Sequence, residues 1–329
     1  MKRIAINGFG RIGRAALKII ENTPDLEVIA INDLMSLENA AYLLQYDSVY
    51  GKYEQEVITE ENGLVINGKA IAYFNEKDPA NLPWKKIGID VVIESTGFFT
   101  KREDAEKHIQ AGAKTVVISG PTSSLDTPTV VHGVNTEAGN TRVFSCASCT
   151  TNNISPLIEI LGRRIGIEKA ILNTTHAYTA SQSIIDSPSK KNFRMGRGGA
   201  NNLIPTTTGA AKATTKALPQ YEGKFDGVAV RTPVPAGSIS DITFVASRAT
   251  SADEVNQILD EEAQTGRYQK VIATSSEPLV STDLLKSTYA AVIDKEMTKV
   301  VDGDLVKIMA WYDNEWSFTS QLVRQIQEI

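Results

Sequence analysis

Asn7-Gly8-Phe9-Gly10-Arg11-Ile12-Gly13 is the stretch on which the fold of this chain turns. It is a G-x-G-x-x-G, a weak signal alone, but its setting is specific. The apolar run Arg3–Asn7 before it reads as a strand, and Arg11–Asn22 after it carries Ile12, Ala15, Ala16, Ile19 and Ile20 on one helical face. In a strand-turn-helix of this kind Gly8 permits the tight turn, Gly10 lets a pyrophosphate approach the backbone, and Gly13 lets helix and strand pack closely. Arg11 and Ile12 open the helix, whose free N–H groups and positive dipole end suit phosphates. About twenty residues past Gly13, Asp33 ends a second apolar run, Leu26–Ile31. A carboxylate there can accept both adenosine ribose hydroxyls and repels a 2′-phosphate, so the pattern predicts NAD.

Working outward, Leu37–Tyr46 reads as a helix, Val91–Ser95 as a buried strand, Arg102–Ala111 as an amphipathic helix, and Thr115–Ser119 and Arg142–Ser145 as strands. Strand and helix in alternation predict a parallel sheet. After Cys149 the texture changes. A helix over about Asn152–Arg164 is followed by a Gly-, Ser-, Asn- and Arg-rich loop, Ser181–Thr208. Beyond it lie strands at Gly227–Thr232, Ile239–Ala246, Thr288–Ile293 and Leu305–Tyr312, with helices at Ala252–Gln264 and Ser317–Gln327. The predicted fold class is α/β: a Rossmann-type parallel-sheet dinucleotide-binding domain over 1–148 and an α+β catalytic domain, its sheet largely antiparallel, over 149–314. The last helix, within 315–329, is expected to return to the first domain.

The bulk properties narrow the function. With 329 residues, 42% hydrophobic and 22% charged, the chain can bury a core. A net charge of −5 without a basic run argues against nucleic acid. No stretch approaches the ~20 apolar residues of a membrane span, and the N-terminus has no signal-peptide character. Two cysteines make no disulfide framework, so a reducing cytoplasm is expected.

Both cysteines fall in Ser145-Cys146-Ala147-Ser148-Cys149-Thr150-Thr151-Asn152-Asn153. A C-x-x-C can be a redox pair, half of a metal site, or one nucleophile with a bystander. With three scattered histidines a four-ligand metal site is not expected. Cys149 stands at the start of an apolar-periodic helix among hydroxyl residues, where the dipole favours a thiolate. Its base is expected to be His176, at the end of a strand in Asn173–Thr179. His108 reads as a solvated helix residue, among Glu106, Lys107 and Gln110.

Several motifs in order then resemble one family, the phosphorylating glyceraldehyde-3-phosphate dehydrogenases: Ala5–Arg14 (AINGFGRIGR), Glu94–Gly97 (ESTG), Ala147–Asn152 (ASCTTN), His176–Thr179 (HAYT), Pro205–Lys212 (PTTTGAAK), Val230–Pro233 (VRTP) and Trp311–Glu315 (WYDNE). The resemblance implies a homotetramer that oxidises glyceraldehyde 3-phosphate with NAD and inorganic phosphate. Cys149 would be the nucleophile and His176 the base, with His176 and the Cys149 N–H stabilising the oxyanion. Thr179 and Arg231 would take the substrate's phosphate, and Ser148, Thr150, Thr208 and Gly209 the attacking phosphate. Asn314 would hold the nicotinamide carboxamide, with Thr96, Gly97 and Ser119 as further cofactor contacts. The Ser181–Thr208 loop would line the cofactor site of a neighbouring subunit.

The chain departs from the family's usual S-N-A-S-C-T-T-N-C at Cys146 and Asn153. It has Phe318 for the tyrosine common beside the nicotinamide and an unusual run after Arg231, Pro233–Ser238. The spacing of Cys146 also allows it to resolve an oxidised Cys149. Alternative readings are an erythrose-4-phosphate dehydrogenase, an NADP-linked biosynthetic relative and, from the C-x-x-C, a thiol–disulfide oxidoreductase.

Overall fold

The computed structural model describes residues 1–135, 141–189 and 192–329. The chain divides into two compact units: Met1–Val130 with Thr136–Ala147 and Leu322–Ile329, and Val131–Asn135 with Ser148–Gln321.

The first unit runs β1 (Lys2–Asn7), α1 (Arg11–Ile20), β2 (Leu26–Asn32), α2 (Leu37–Gln45), β3 (Tyr46–Asp47), β4 (Gly51–Lys52), β5 (Val57–Glu60), β6 (Gly63–Ile66), β7 (Lys69–Phe74), α3 (Trp84–Ile87), β8 (Val91–Glu94), α4 (Arg102–Gln110), β9 (Thr115–Ile118) and β10 (Val143–Ser145). Its main sheet has the order β10-β9-β8-β1-β2-β7-β6-β5. The pairs from β10 to β7 are parallel, and β7-β6-β5 is antiparallel. The central strands are buried on both faces: Ile4, Ala5, Ile6, Val92 and Ile93 have no exposed surface, which is why they read as unbroken apolar runs. The strands β5 to β7 escaped the reading from sequence. β5 is an exposed edge, and charged residues interrupt the alternation there.

The expected glycine geometry is present. Gly8 has φ +94°, and a Cβ there would meet the Thr96 nitrogen at 2.6 Å; one at Gly13 would meet the Gly8 carbonyl at 2.2 Å. Both positions therefore exclude any side chain.

The second unit runs α5 (Cys149–Arg164), β11 (Ile167–Ala177), β12 (Ile204–Thr207), α6 (Ala210–Ala217), β13 (Phe225–Thr232), β14 (Ser238–Ala246), α7 (Ala252–Ala263), β15 (Ile272–Ser275), β16 (Ala291–Val301), β17 (Leu305–Tyr312) and the start of α8 (Trp316–Glu328), which belongs to the first unit from Leu322 onward. The sheet order is β12-β13-β11-β14-β17-β16-β15. It is antiparallel except for β11–β13 and β15–β16. In β14 the residues Ser238, Ser240, Ile242, Phe244 and Ala246 are buried and alternate with half-buried ones, so one face meets a core. That core holds Ile154, Leu157, Ile158 and Leu161 of α5 together with Ile242, Phe244, Val306 and Ile308.

Several expected bounds shift. The helix expected from Asn152 begins at Cys149, because the Ser148 hydroxyl accepts from Thr151 N at 3.1 Å and caps it. The strand expected at Thr288–Ile293 runs Ala291–Val301. The stretch read as loop, of which residues 190 and 191 lie outside the described ones, includes β12 and a short 3-10 turn, Phe193–Gly196.

Candidate active site

The chemistry-bearing residues of the second unit converge on the start of α5. Cys149 Sγ lies 3.4 Å from His176 Nε2. His176 is the penultimate residue of β11, and the parallel β11–β13 register sets it directly opposite Arg231. His176 Nδ1 is 2.7 Å from the Ala177 carbonyl and 2.6 Å from Arg231 Nη1, which also donates to that carbonyl at 3.1 Å. The carbonyl can only accept and the guanidinium can only donate, so Nδ1 meets one partner of each kind, while Nε2 is the ring nitrogen that faces the thiol. Burial, with the Arg231 charge adding to it, pushes the imidazole down to about 3, against the opposing pull of Ala177 O. His176 is thus a neutral base over the working pH range. Burial pushes the Cys149 thiol up, opposed by the Arg231 charge and by the Thr150 hydroxyl and backbone N–H groups.

Thr150 is buried, and its hydroxyl is 2.9 Å from Tyr312 Oη, which is equally 2.9 Å from Thr174 Oγ1. The Tyr312 ring stands edge-on to His176, centroids 5.9 Å apart. The sequence assigned no role to Tyr312; its signals were a place at the end of a strongly alternating strand and within the Trp311–Glu315 motif. Ser148 caps α5. Thr208 accepts from Ala210 N at 3.2 Å and, with Gly209, opens α6. Thr179 lies two residues beyond β11 and bonds Ser181 Oγ at 2.9 Å. Asn314 is buried just past β17.

In the first unit a cavity of about 800 Å³ is lined by Gly8, Gly10, Asp33, Phe98, Phe99 and Thr96 among others. Asp33 accepts from Phe9 N at 2.6 Å and Met35 N at 2.9 Å, which fixes its carboxylate at the rim. Gly10 precedes α1 and makes no side-chain cap bond to it. The Arg11 side chain itself pairs with Asp47 at 2.7 Å. Gly97 is exposed, and Ser119 N donates to the Glu94 carbonyl at 2.9 Å. Neither belongs to the residues that line the cavity.

His108 overturns its expectation: it has no exposed surface. Trp84 Nε1 donates to its Nδ1 at 2.9 Å, so Nε2 carries the proton and donates to Glu94 Oε2 at 3.1 Å. Glu94 also accepts from Asn7 Nδ2 at 2.6 Å and Thr96 N at 2.8 Å. The sequence neighbours of His108 are polar, but α4 turns its ring inward onto Glu94 and Asn7, the last residues of β8 and β1. Cys146 is buried too, and burial pushes its thiol up to about 12. Both cysteines are free.

Comparison with known families agrees along the length of the chain. Residues 2–102 match the family described as glyceraldehyde 3-phosphate dehydrogenase, NAD binding domain, and residues 148–314 match its C-terminal domain. The chain belongs to the glyceraldehyde-3-phosphate dehydrogenase family. It is 45% identical to the glyceraldehyde-3-phosphate dehydrogenase of Clostridium pasteurianum over 99% of this chain and 98% of that one. It is likewise 45% identical to glyceraldehyde-3-phosphate dehydrogenase 1 of Bacillus subtilis and to the enzyme of Geobacillus stearothermophilus, each over 98% of this chain and 96% of the relative. NAD is the family's cofactor, and the first unit fits it: the Gly8 and Gly13 positions admit no Cβ, the start of α1 has no side-chain cap, and Asp33 borders the cavity.

Proposed function

We propose that the chain is an NAD-dependent phosphorylating glyceraldehyde-3-phosphate dehydrogenase, converting D-glyceraldehyde 3-phosphate and inorganic phosphate to 1,3-bisphosphoglycerate. The observation that carries this reading is Cys149 Sγ at a helix start, 3.4 Å from Nε2 of a buried imidazole held neutral.

In this reading the Cys149 sulfur attacks the aldehyde carbon while its proton passes to His176 Nε2. The resulting imidazolium returns that proton to the former carbonyl oxygen, held also by the Cys149 N–H, and a thiohemiacetal forms. NAD, when bound, supplies the hydride acceptor. As hydride leaves the carbon, His176 Nε2 takes the hydroxyl proton and a thioester to Cys149 remains. Phosphate held by Ser148, Thr150, Thr208 and Gly209 attacks that thioester, and the thiolate leaves and recovers a proton from His176. A thiolate leaves far more readily than an alkoxide, which is why the chemistry needs sulfur. Thr179 and Arg231 bind the phosphate already on the substrate, the guanidinium offering parallel donors.

Gly8, Gly10, Arg11, Ile12, Gly13, Asp33, Thr96, Gly97, Ser119 and Asn314 bind NAD. The domains are 1–148 and 149–314 with 315–329 returning to the first; the division between Ala147 and Ser148 supports the first boundary. A homotetramer is supported by the exposed apolar side chains Ile184, Ile185, Phe193 and Leu203, each at least 70% exposed, which a neighbouring subunit would cover. No helix among the described residues is long and apolar enough to cross a membrane. A chain with two free thiols suits the cytoplasm.

The test is reduction of NAD by glyceraldehyde 3-phosphate with and without inorganic phosphate. Sustained turnover that needs phosphate is expected, together with its loss in Cys149→Ser. Equal turnover without phosphate would overturn the phosphorylating reading in favour of thioester hydrolysis.

A further inference from the structure

The amide of Asn314 is held in one orientation by groups outside the active-site motifs. Its Oδ1 is 3.1 Å from Gly237 N and 3.1 Å from Ser238 Oγ. Gly237 N–H can only donate. Ser238 Oγ accepts from Ala177 N at 3.1 Å, which leaves its own proton for Asn314. Two donors converge on the same amide atom, so that atom is the oxygen whatever way the amide is drawn. Among the described residues Nδ2 has no hydrogen-bond partner, so Asn314 presents a free N–H donor. The backbone is shaped for this arrangement. Gly237 has φ +87°, and a Cβ there would meet the Ser281 carbonyl at 2.5 Å. Ser238 is 1% exposed and Asn314 5%, so water does not compete strongly for either.

We propose that Ser238 is a positioning residue that fixes the Asn314 amide with Nδ2 outward, so that the protein reads the carbonyl oxygen of the nicotinamide carboxamide rather than its NH₂. The inference rests on the reading that Asn314 holds that carboxamide, and it assigns a role to the unusual run Pro233–Ser238. The same hydroxyl accepts from Ala177 N, the residue whose carbonyl orients His176. The cofactor donor and the catalytic base are thus tied to one serine.

The experiment compares wild type, Ser238→Ala, Ser238→Thr and Asn314→Ala as full-length enzyme. NAD is compared with its 3-acetylpyridine analogue, which keeps the carbonyl and lacks the NH₂. ADP-ribose, which lacks the ring, reports on the rest of the cofactor site. In Ser238→Ala the amide loses one of the two donors that fix it, and KM for NAD is expected to rise about threefold to tenfold, the worth of one hydrogen bond. The freed amide can also turn Oδ1 toward the cofactor and accept from the NH₂ of NAD, which the analogue cannot supply. The NAD-to-analogue ratio of kcat/KM therefore rises about threefold or more, by the same bond energy. ADP-ribose affinity stays unchanged, and Ser238→Thr restores both values. An unchanged ratio in Ser238→Ala would overturn the proposal, as would a parallel loss of ADP-ribose binding. If Asn314→Ala leaves KM for NAD unchanged, the reading of Asn314 itself fails. If Asn314→Ala raises KM and Ser238→Ala does not, only the role of Ser238 falls.

Discussion

Alkylation should separate the two cysteines cleanly, and the size of the separation follows from their surroundings. Cys146 is 3% exposed, and burial pushes its thiol up to about 12. At pH 7 its thiolate fraction is then about 10⁻⁵, and even at pH 10 only about 10⁻², before any steric shielding. Cys149 is half-buried, with Nε2 of a neutral imidazole 3.4 Å from its sulfur and ready to take the proton. Timed treatment with iodoacetamide at pH 7, followed by peptide mass spectrometry, should give one label per chain. Cys149 should react to completion while Cys146 carries less than about 1%. In urea both thiols return toward about 8.5 and both should react, which shows that the fold causes the difference. Appreciable labelling of Cys146 while Cys149 is still incomplete would refute the reasoning. The same result bears on the idea that Cys146 resolves an oxidised Cys149, since that role needs a thiolate. Selective labelling predicts that a Cys146→Asn variant recovers from peroxide under dithiothreitol no better and no worse than wild type.

Three further outcomes are expected. His176→Asn should lower kcat by about 10²–10⁴, the usual worth of a general base. Because the imidazole is held down near 3 in the fold against 6.5 when free, its contribution to stability is fully present above about 6.5 and is lost as pH falls toward 3; the variant should show a flatter fall of Tm across that window, and an unchanged slope counts against burial as the cause. His108→Phe leaves the Trp84 indole N–H without its acceptor and removes one donor from Glu94, so it should destabilise the protein by about 2–5 kcal/mol in chemical unfolding; a change below about 0.5 kcal/mol, smaller than one ordinary hydrogen bond, would show that the network is not satisfied as described. Asp33→Ser removes the carboxylate that opposes a 2′-phosphate, and the NADP-to-NAD ratio of kcat/KM should rise by at least about tenfold, a shift of ~1.4 kcal/mol; no shift would place the ribose elsewhere.

Local signals carried a large share of the fold. The strand, glycine turn and helix over residues 2–20 could be read directly, because tight turns and buried parallel strands leave little choice of residue type. The helix starting at Cys149 was legible from the apolar spacing of Ile154, Leu157, Ile158 and Leu161, and the alternation in β17 gave Leu305–Tyr312 to the residue. The exposed edge strand β5 was missed because it presents no clear period, and α6 because its buried face, Ala210, Ala211, Ala213, Thr214 and Ala217, is short and carries only small side chains.

What the sequence determined alone was therefore the set of elements and the residue types able to do the chemistry: a dinucleotide turn, an acid at the second strand end, a thiol at a helix start. What only the tertiary structure decided was which of them meet. His176 and Arg231 face each other because β11 and β13 pair in parallel with that register, across 55 residues of chain. His108, among charged neighbours in the sequence, is buried because α4 turns that face onto Trp84 and Glu94. Tyr312 bridges Thr150 and Thr174, and Ser238 fixes Asn314, through contacts between separate elements. Periodicity records which face of one element is apolar; it holds no record of the partner that face will find, since register between distant strands is set by the packing of the whole sheet.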